Sequence, residues 1–162
     1  MQDAPEGRTA KAKPYEPDDL DGRIIAELSS SARDSFREIA KRLKVSTSTV
    51  IQRVRNLEKI GVIRGYSADL DYSHLGYEFM GIIEITITKG ALLEVQRKIA
   101  QLHGVVAVYD VTGLSDSMVL VRTRNRSDFS RLVKNILAME QVEHSNTHVI
   151  LNVIKEDYRQ YV

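Results

Sequence analysis

The sequence predicts an α+β protein in two parts, a small helical part followed by a four-stranded sheet carrying two helices. Three observations predict it. Between Asp18 and Ile60, apolar residues recur at helical spacing in three short runs separated by tight breaks. From Glu78 onward, alternating and helical stretches follow one another in the order β-α-β-β-α-β, the ferredoxin-like split βαβ. Charge is also unevenly placed along the 162 residues, although the net charge is only +1. Nine basic residues face three acidic ones from Arg33 to Tyr66, whereas from Tyr72 to the end there are ten of each.

Residues 1–17, MQDAPEGRTAKAKPYEP, hold all three prolines and almost no large apolar residue, so a disordered tail is expected. A first helix runs from Asp18 to Ser30, with Asp18 or Asp19 as its cap. Its stripe is Leu20, Ile24, Ile25 and Leu28. Gly22 interrupts it at a cost of ~1 kcal/mol against Ala. The second helix spans Phe36 to Leu43, and Ser35 with Glu38 forms a capping box at its start. Lys44-Val45 is a break. The third helix, Ser46 to Ile60, buries Val50, Val54 and Leu57, which leaves Thr47, Ser48, Ile51, Gln52 and Arg55 on the other side. Gly61 ends it. Val62 to Tyr66 reads as a short strand, a wing carrying Arg64.

Helix, very short turn and hydroxyl-capped helix make a helix-turn-helix, so residues 18–66 are expected to bind double-stranded DNA. An α-helix fits the major groove with its N-terminal residues against base edges. Short Ser and Thr side chains permit close approach, Gln pairs bidentately with adenine, and Arg pairs with guanine or a phosphate. The candidate DNA-binding residues are Ser46, Thr47, Ser48, Thr49, Gln52, Arg53, Arg55 and Arg64. Arg53 borders the buried stripe, so a phosphate and an internal partner both remain open to it.

Residues 67–77, SADLDYSHLGY, are expected to be a hinge, with His74 in a loop. Residues 78–162 then make the second domain. Strand Glu78 to Thr88 places Phe79, Gly81, Ile83, Ile85 and Ile87 on one face. Helices are expected at 90–102 and 129–139, and strands at 105–112, 117–124 and 142–154. Two helices cover one face of a four-stranded sheet, yet several strands are apolar on both faces, as in Val105-Val106-Ala107-Val108. The open face is therefore expected to pack on a second copy of the chain. A dimer places two reading helices about one helical turn (~34 Å) apart, which predicts a palindromic operator.

Several function classes are excluded or disfavoured. There is no Cys, hence no thiolate chemistry or Cys-ligated metal. No apolar run approaches the ~20 residues of a membrane helix. The N-terminus shows no signal-peptide stretch, so a cytoplasmic, nucleoid-associated protein is expected. No P-loop, GxSxG or metal-spaced His pair is present, and His144 with His148 is the only loose His pair. No catalytic residue, metal site or cofactor is expected.

Residues 18–162 resemble the Lrp/AsnC (feast/famine) transcription regulators. The resemblance rests on DDLDGRIIAEL, IAKRLKVSTSTVIQRVRNLEKIGVIRGY and HGVVAVYDVTGLSDSMVLV, with Val50, Arg53, Val54, Leu57, Glu58, Gly61, Val62 and Ile63 specific to this type of winged helix-turn-helix. Gly22 departs from it, since such helices usually carry a longer polar residue there. It implies a RAM/ACT-like second domain and homodimers assembling to tetramers or octamers. Part of residues 67–77 would pair as a strand with its copy in a second subunit.

Thr112-Gly113-Leu114-Ser115-Asp116-Ser117 connects the middle strands. Gly113 permits close approach, Asp116 offers an acceptor for an ammonium, and the Thr112 and Ser117 hydroxyls offer donors for a carboxylate. By itself such a Gly-Asp hairpin is more often only a turn. The resemblance implies that Gly113 and Asp116 fall on the family's effector loop, so an amino-acid effector is expected there. Two alternatives follow from the same sequence: an effector-independent architectural DNA-binding protein, and a sirohaem-decarboxylase-like enzyme subunit, a catalytic relative of the two-domain family.

Overall fold

A computed structural model describes residues 14–157. Most of the expected tail, residues 1–13, lies outside them. The chain divides into two compact units, with the break at Ala68–Asp69 and the second unit ending at Glu156.

The first unit is three helices, α1 (Asp19–Ser30), α2 (Phe36–Leu43) and α3 (Thr47–Lys59). Each begins on a side-chain cap. The Asp18 carboxylate accepts from the Asp21 amide at 2.8 Å. Ser35 and Glu38 form the reciprocal capping box. Ser46 Oγ accepts from the Thr49 amide at 3.0 Å. These bonds satisfy amides that have no partner inside the helix. The α2–α3 turn depends on Lys44, which closes α2 in the left-handed region at φ 56°. Helix α3 ends at Gly61, φ +77°, where the Gly61 amide bonds Glu58 O and the Val62 amide bonds Leu57 O. That is a Schellman stop, and its geometry favours glycine. Ile24, Leu28, Ile39, Leu43, Val50, Val54 and Leu57 make one buried core. Each contributes roughly 1.5–3 kcal/mol by leaving water.

The expected wing strand is not formed. Val62 and Ile63 both donate to Leu57 O, Ile63 packs on the core, and the chain leaves without pairing. A strand needs a ladder partner, and no described segment of this unit supplies one. Tyr66 instead donates to Glu58 at 2.9 Å.

The second unit contains β1 (Phe79–Ile87), α4 (Leu92–Ala100), β2 (Val105–Asp110), β3 (Ser117–Thr123), α5 (Arg126–Leu137) and β4 (Val142–Val149). The sheet is antiparallel, in the order β2-β3-β1-β4. The α+β class and the βαββαβ order are as the sequence predicts. The last strand is shorter than the expected 142–154, because its ladder partner runs out: Val149 pairs with Gly81, Ile150 bonds Met80 O, and Leu151 and Ile154 stand exposed. Helices α4 and α5 cover one face, packing Val95, Ile99, Leu132 and Ile136 over Ile83, Ile85, Val119 and Val121 of the sheet. Gly81 lies under Phe129, whose ring comes within 2.7 Å of where a Cβ would sit. Pleat and register put Met80, Ile82, Met118, Leu120 and Tyr109 on the opposite, helix-free face.

Residues 69–77 belong to this unit. Tyr72 meets Tyr77 edge-on at 6.1 Å, Arg122 lies 4.2 Å over the Tyr72 ring, and Arg124 lies 5.3 Å over Tyr77. No strand forms in 67–77 within the single chain. His74 is a turn residue, bonded to Asp71 at 2.7 Å.

Candidate nucleic-acid interface and effector loop

The polar face of α3 is presented as its period requires. Ser46, Thr47, Ser48, Gln52 and Arg55 are exposed, as is Arg64 beyond the helix, and Thr49 is half-buried. Ser46 Oγ lies 2.8 Å from Ser48 Oγ and 2.7 Å from Thr49 Oγ1. This hydroxyl cluster sits where the helix exposes its free amides and the positive end of its dipole. Gln52, Arg55 and Arg64 form no hydrogen bond or ion pair within the described residues. A polar side chain left without a partner on a small basic unit is available to a base edge or a phosphate.

Arg53 is placed differently from the rest of its set. Its guanidinium bonds Asp18 at 2.5 Å and Asp21 at 3.2 Å, which ties α3 to α1. Asp21 is 1% exposed, and Tyr15 donates to its other oxygen. A buried carboxylate needs such partners. The Asp21 amide, and then the Arg53 guanidinium, hold the Asp18 carboxyl below its ordinary range. Of the two openings left by the sequence for Arg53, the internal partner is therefore the one realised. Arg42 makes a second clamp, to Glu27 and Asp34. The other seven basic residues between Arg33 and Tyr66 have no ion-pair partner among the described residues.

The 112–117 loop joins β2 to β3. Val111 donates to Asp116 O, the Asp116 amide donates to Ile85 O at 3.0 Å, and Asp116 Oδ2 accepts from the Ile87 amide at 2.8 Å. Asp116 thus anchors the loop to β1 while its second carboxylate oxygen carries no such bond. Thr112, Gly113 and Leu114 are exposed, Leu114 fully. A Cβ on Gly113 would meet open space, although its φ of +134° disfavours other residues. Ser117 departs from expectation. It is fully buried, donates to Tyr109 O at 2.9 Å and accepts from Gln96 at 3.1 Å, so its hydroxyl belongs to the interior.

Sequence reasoning missed what lies beside this loop. Ser115 Oγ is 3.4 Å from Glu84, Glu84 is 3.3 Å from His148, and His148 is 3.1 Å from Asn146. The set spans β1, the loop and β4 on the helix-free face. The only signal for it was the alternation that put Glu84 on that face. Two clefts on the second unit, of about 590 and 220 Å³, lie away from the loop.

The comparisons with known proteins agree with this geometry. The family model for the AsnC-type helix-turn-helix domain matches residues 18–58, and that for the Lrp/AsnC ligand binding domain matches residues 80–160. An uncharacterised HTH-type transcriptional regulator of Pyrococcus furiosus is 44% identical over 142 residues, covering 88% of this chain and 96% of its own. The chain belongs to the Lrp/AsnC family. Its members are transcriptional regulators with a DNA-binding helix-turn-helix, not enzymes, which removes the decarboxylase alternative. Among solved structures, AsnC of E. coli superposes with a TM-score of 0.82 at 26% identity, covering 90% of this chain and all of that one. A Neisseria meningitidis transcriptional regulator, solved as a complex with L-Met, gives 0.84 at 22% identity over 90% of this chain and 97% of its own. This Lrp/AsnC regulator therefore carries a reading helix of its family's type and a ligand-binding domain of its family's fold.

Proposed function

We propose that this regulator is sequence-specific and responds to an amino acid. The observation that carries the reading is the row of uncommitted polar groups on α3: Thr47, Ser48, Gln52 and Arg55, opened by the Ser46 cap. Thr47, Ser48 and Gln52 read base edges. Arg55 and Arg64 take phosphates. Arg53 holds the helix at its angle. A second copy covers the apolar helix-free face, so two heads meet a palindromic operator, and dimers assemble further into tetramers or octamers. Such a protein works in the cytoplasm on the nucleoid. The amino acid binds at Thr112 to Asp116, its ammonium on the open oxygen of Asp116 and on Glu84. The L-Met complex of the Neisseria protein supports beginning with amino acids.

Selection from random duplexes tests the DNA reading, with enrichment of one palindromic sequence expected. A thermal-shift panel of amino acids tests the effector, because a ligand at 100 times its Kd stabilises by ~2.7 kcal/mol. Asp116→Ala is expected to abolish that shift. A second reading, effector-independent architectural binding, is favoured by the commitment of Asp116 to the β1 backbone and of Ser117 to the interior. It wins if the selected pool stays random and no amino acid shifts the melting.

A further inference from the structure

The balance of zero over the second domain conceals a local excess. Between Arg122 and Lys134 there are five basic residues and one acidic residue, Asp128. Helix α5 arranges most of these on one exposed side. Arg126, Ser130 and Lys134 follow one another at i, i+4, and Ser127 with Arg131 makes a parallel row. All five line the 590 Å³ cleft. The 220 Å³ cleft shares Arg131 and adds His103, Arg124 and Asn135. Arg126 and Lys134 have no hydrogen bond or ion pair among the described residues. Arg131 meets only Asp128, at 3.5 Å, with most of its side chain in water. Arg122 is a different case, since it is held by Glu156 and does not join the stripe.

We propose that this stripe is a second contact for the backbone of double-stranded DNA, separate from the reading helix. Spacing decides between a polymer and a small anion. Arg126 and Lys134 lie eight residues apart, about 12 Å along the helix at 1.5 Å per residue. Cations spread over that length do not converge on one small anion. Three cations along that length, Arg126, Arg131 and Lys134, instead match a run of successive phosphates on one DNA strand. Ser127 and Ser130 supply hydroxyls of the kind that bond phosphate oxygens without reading sequence. The partner is DNA because the chain already carries a DNA-binding head, and the stripe rests on that reading.

Full-length protein is titrated with a long random-sequence duplex over a salt series. Three forms are compared: wild type, Arg126→Ala/Lys134→Ala, and the reading-head variant Gln52→Ala/Arg55→Ala. Both substituted α5 residues are exposed, and far-UV circular dichroism with light scattering confirms fold and assembly. The slope of log K against log salt is expected to fall by about 1.8 for each DNA-bound subunit of the α5 variant, at about 0.9 for each phosphate no longer neutralised. Residual binding by the reading-head variant should vanish when the two pairs are combined. Wild-type slope and affinity in the α5 variant, with binding abolished in the reading-head variant, would overturn the stripe alone. A wild type that binds no duplex overturns the reading head with it. Inorganic phosphate that raises the wild-type Tm but not the α5 variant's, with DNA slopes equal, assigns the stripe to a small anion and also overturns the proposal.

Discussion

Helix α3 and the 112–117 loop are both short, polar and rich in hydroxyls, yet they dispose of those groups in opposite ways. On α3 the helical period separates the two faces completely: Val50, Val54 and Leu57 are buried, and Thr47, Ser48, Gln52 and Arg55 stay in water. The loop has no period. Ser117 turns inward to Tyr109 O and Gln96, Asp116 turns to the β1 amide, and Leu114 turns out. A regular element fixes the direction of each side chain locally, whereas a loop takes it from whichever strand it lands on.

The largest test of this contrast is on DNA. Gln52→Ala with Arg55→Ala removes one base pairing, at about 1–3 kcal/mol, and one phosphate contact, so affinity for the selected duplex falls at least tenfold in a gel-shift titration. Stability should stay within about 0.5 kcal/mol, since both residues are exposed and without partners. Wild-type affinity in this double variant would break the assignment of α3 as the reading face.

One helical step away, Arg53 should behave in the reverse sense. Arg53→Ala leaves the buried Asp21 with Tyr15 alone, and an unsatisfied buried charge costs on the order of 1–3 kcal/mol. Urea unfolding should show that drop in Arg53→Ala and none in Arg55→Ala. Equal midpoints for the two variants would return Arg53 to the DNA surface.

These cases show what could be read along the chain. The caps at Ser35 and Ser46, the stripe of α3 and the order of the sheet follow from local spacing, so the sequence displays them. The partners of Arg53 lie 32 and 35 residues away on α1 and its cap, and nothing in the local pattern points to them. The wing fails because Val62 to Tyr66 has strand-like residues but no strand beside it. Glu84 meets His148 only through the β1–β4 register and Ser115 only through the β1–β3 register. The α5 stripe is visible as letters but vanishes when charge is summed over the whole domain.

Within the loop, the same logic separates Ser117 from Ser115. Ser117→Ala removes both hydrogen bonds of a fully buried hydroxyl, to Tyr109 O and from Gln96, at about 1–2 kcal/mol. Ser115→Ala removes only a 3.4 Å hydrogen bond to Glu84, so its unfolding midpoint should match wild type. If an amino acid shifts the melting of wild type, Ser117→Ala should keep that shift, because its hydroxyl does not face the ligand. Disappearance of the shift with stability intact would place Ser117 in the effector site after all.

The smallest effect concerns acid, and it returns to the base of α3. The Asp18 carboxyl is held below its ordinary value of 3.8, first by the Asp21 amide it caps and then by Arg53. A carboxyl depressed in the folded state adds stability that is present above its unfolded pKa and lost as pH falls through the folded one. Asp18→Asn keeps an acceptor for the Asp21 amide but no charge for Arg53. The stability difference between wild type and Asp18→Asn should therefore be constant near neutrality. It should shrink as pH drops below 3.8, read as converging urea midpoints. Because the Asp18 side chain is half exposed, solvent screens the pair and the gap is the smallest of those predicted here. A gap unchanged down to the acid limit would mean that Arg53 is anchored by Asp21 alone, and that the tie between α3 and α1 rests on the buried carboxylate.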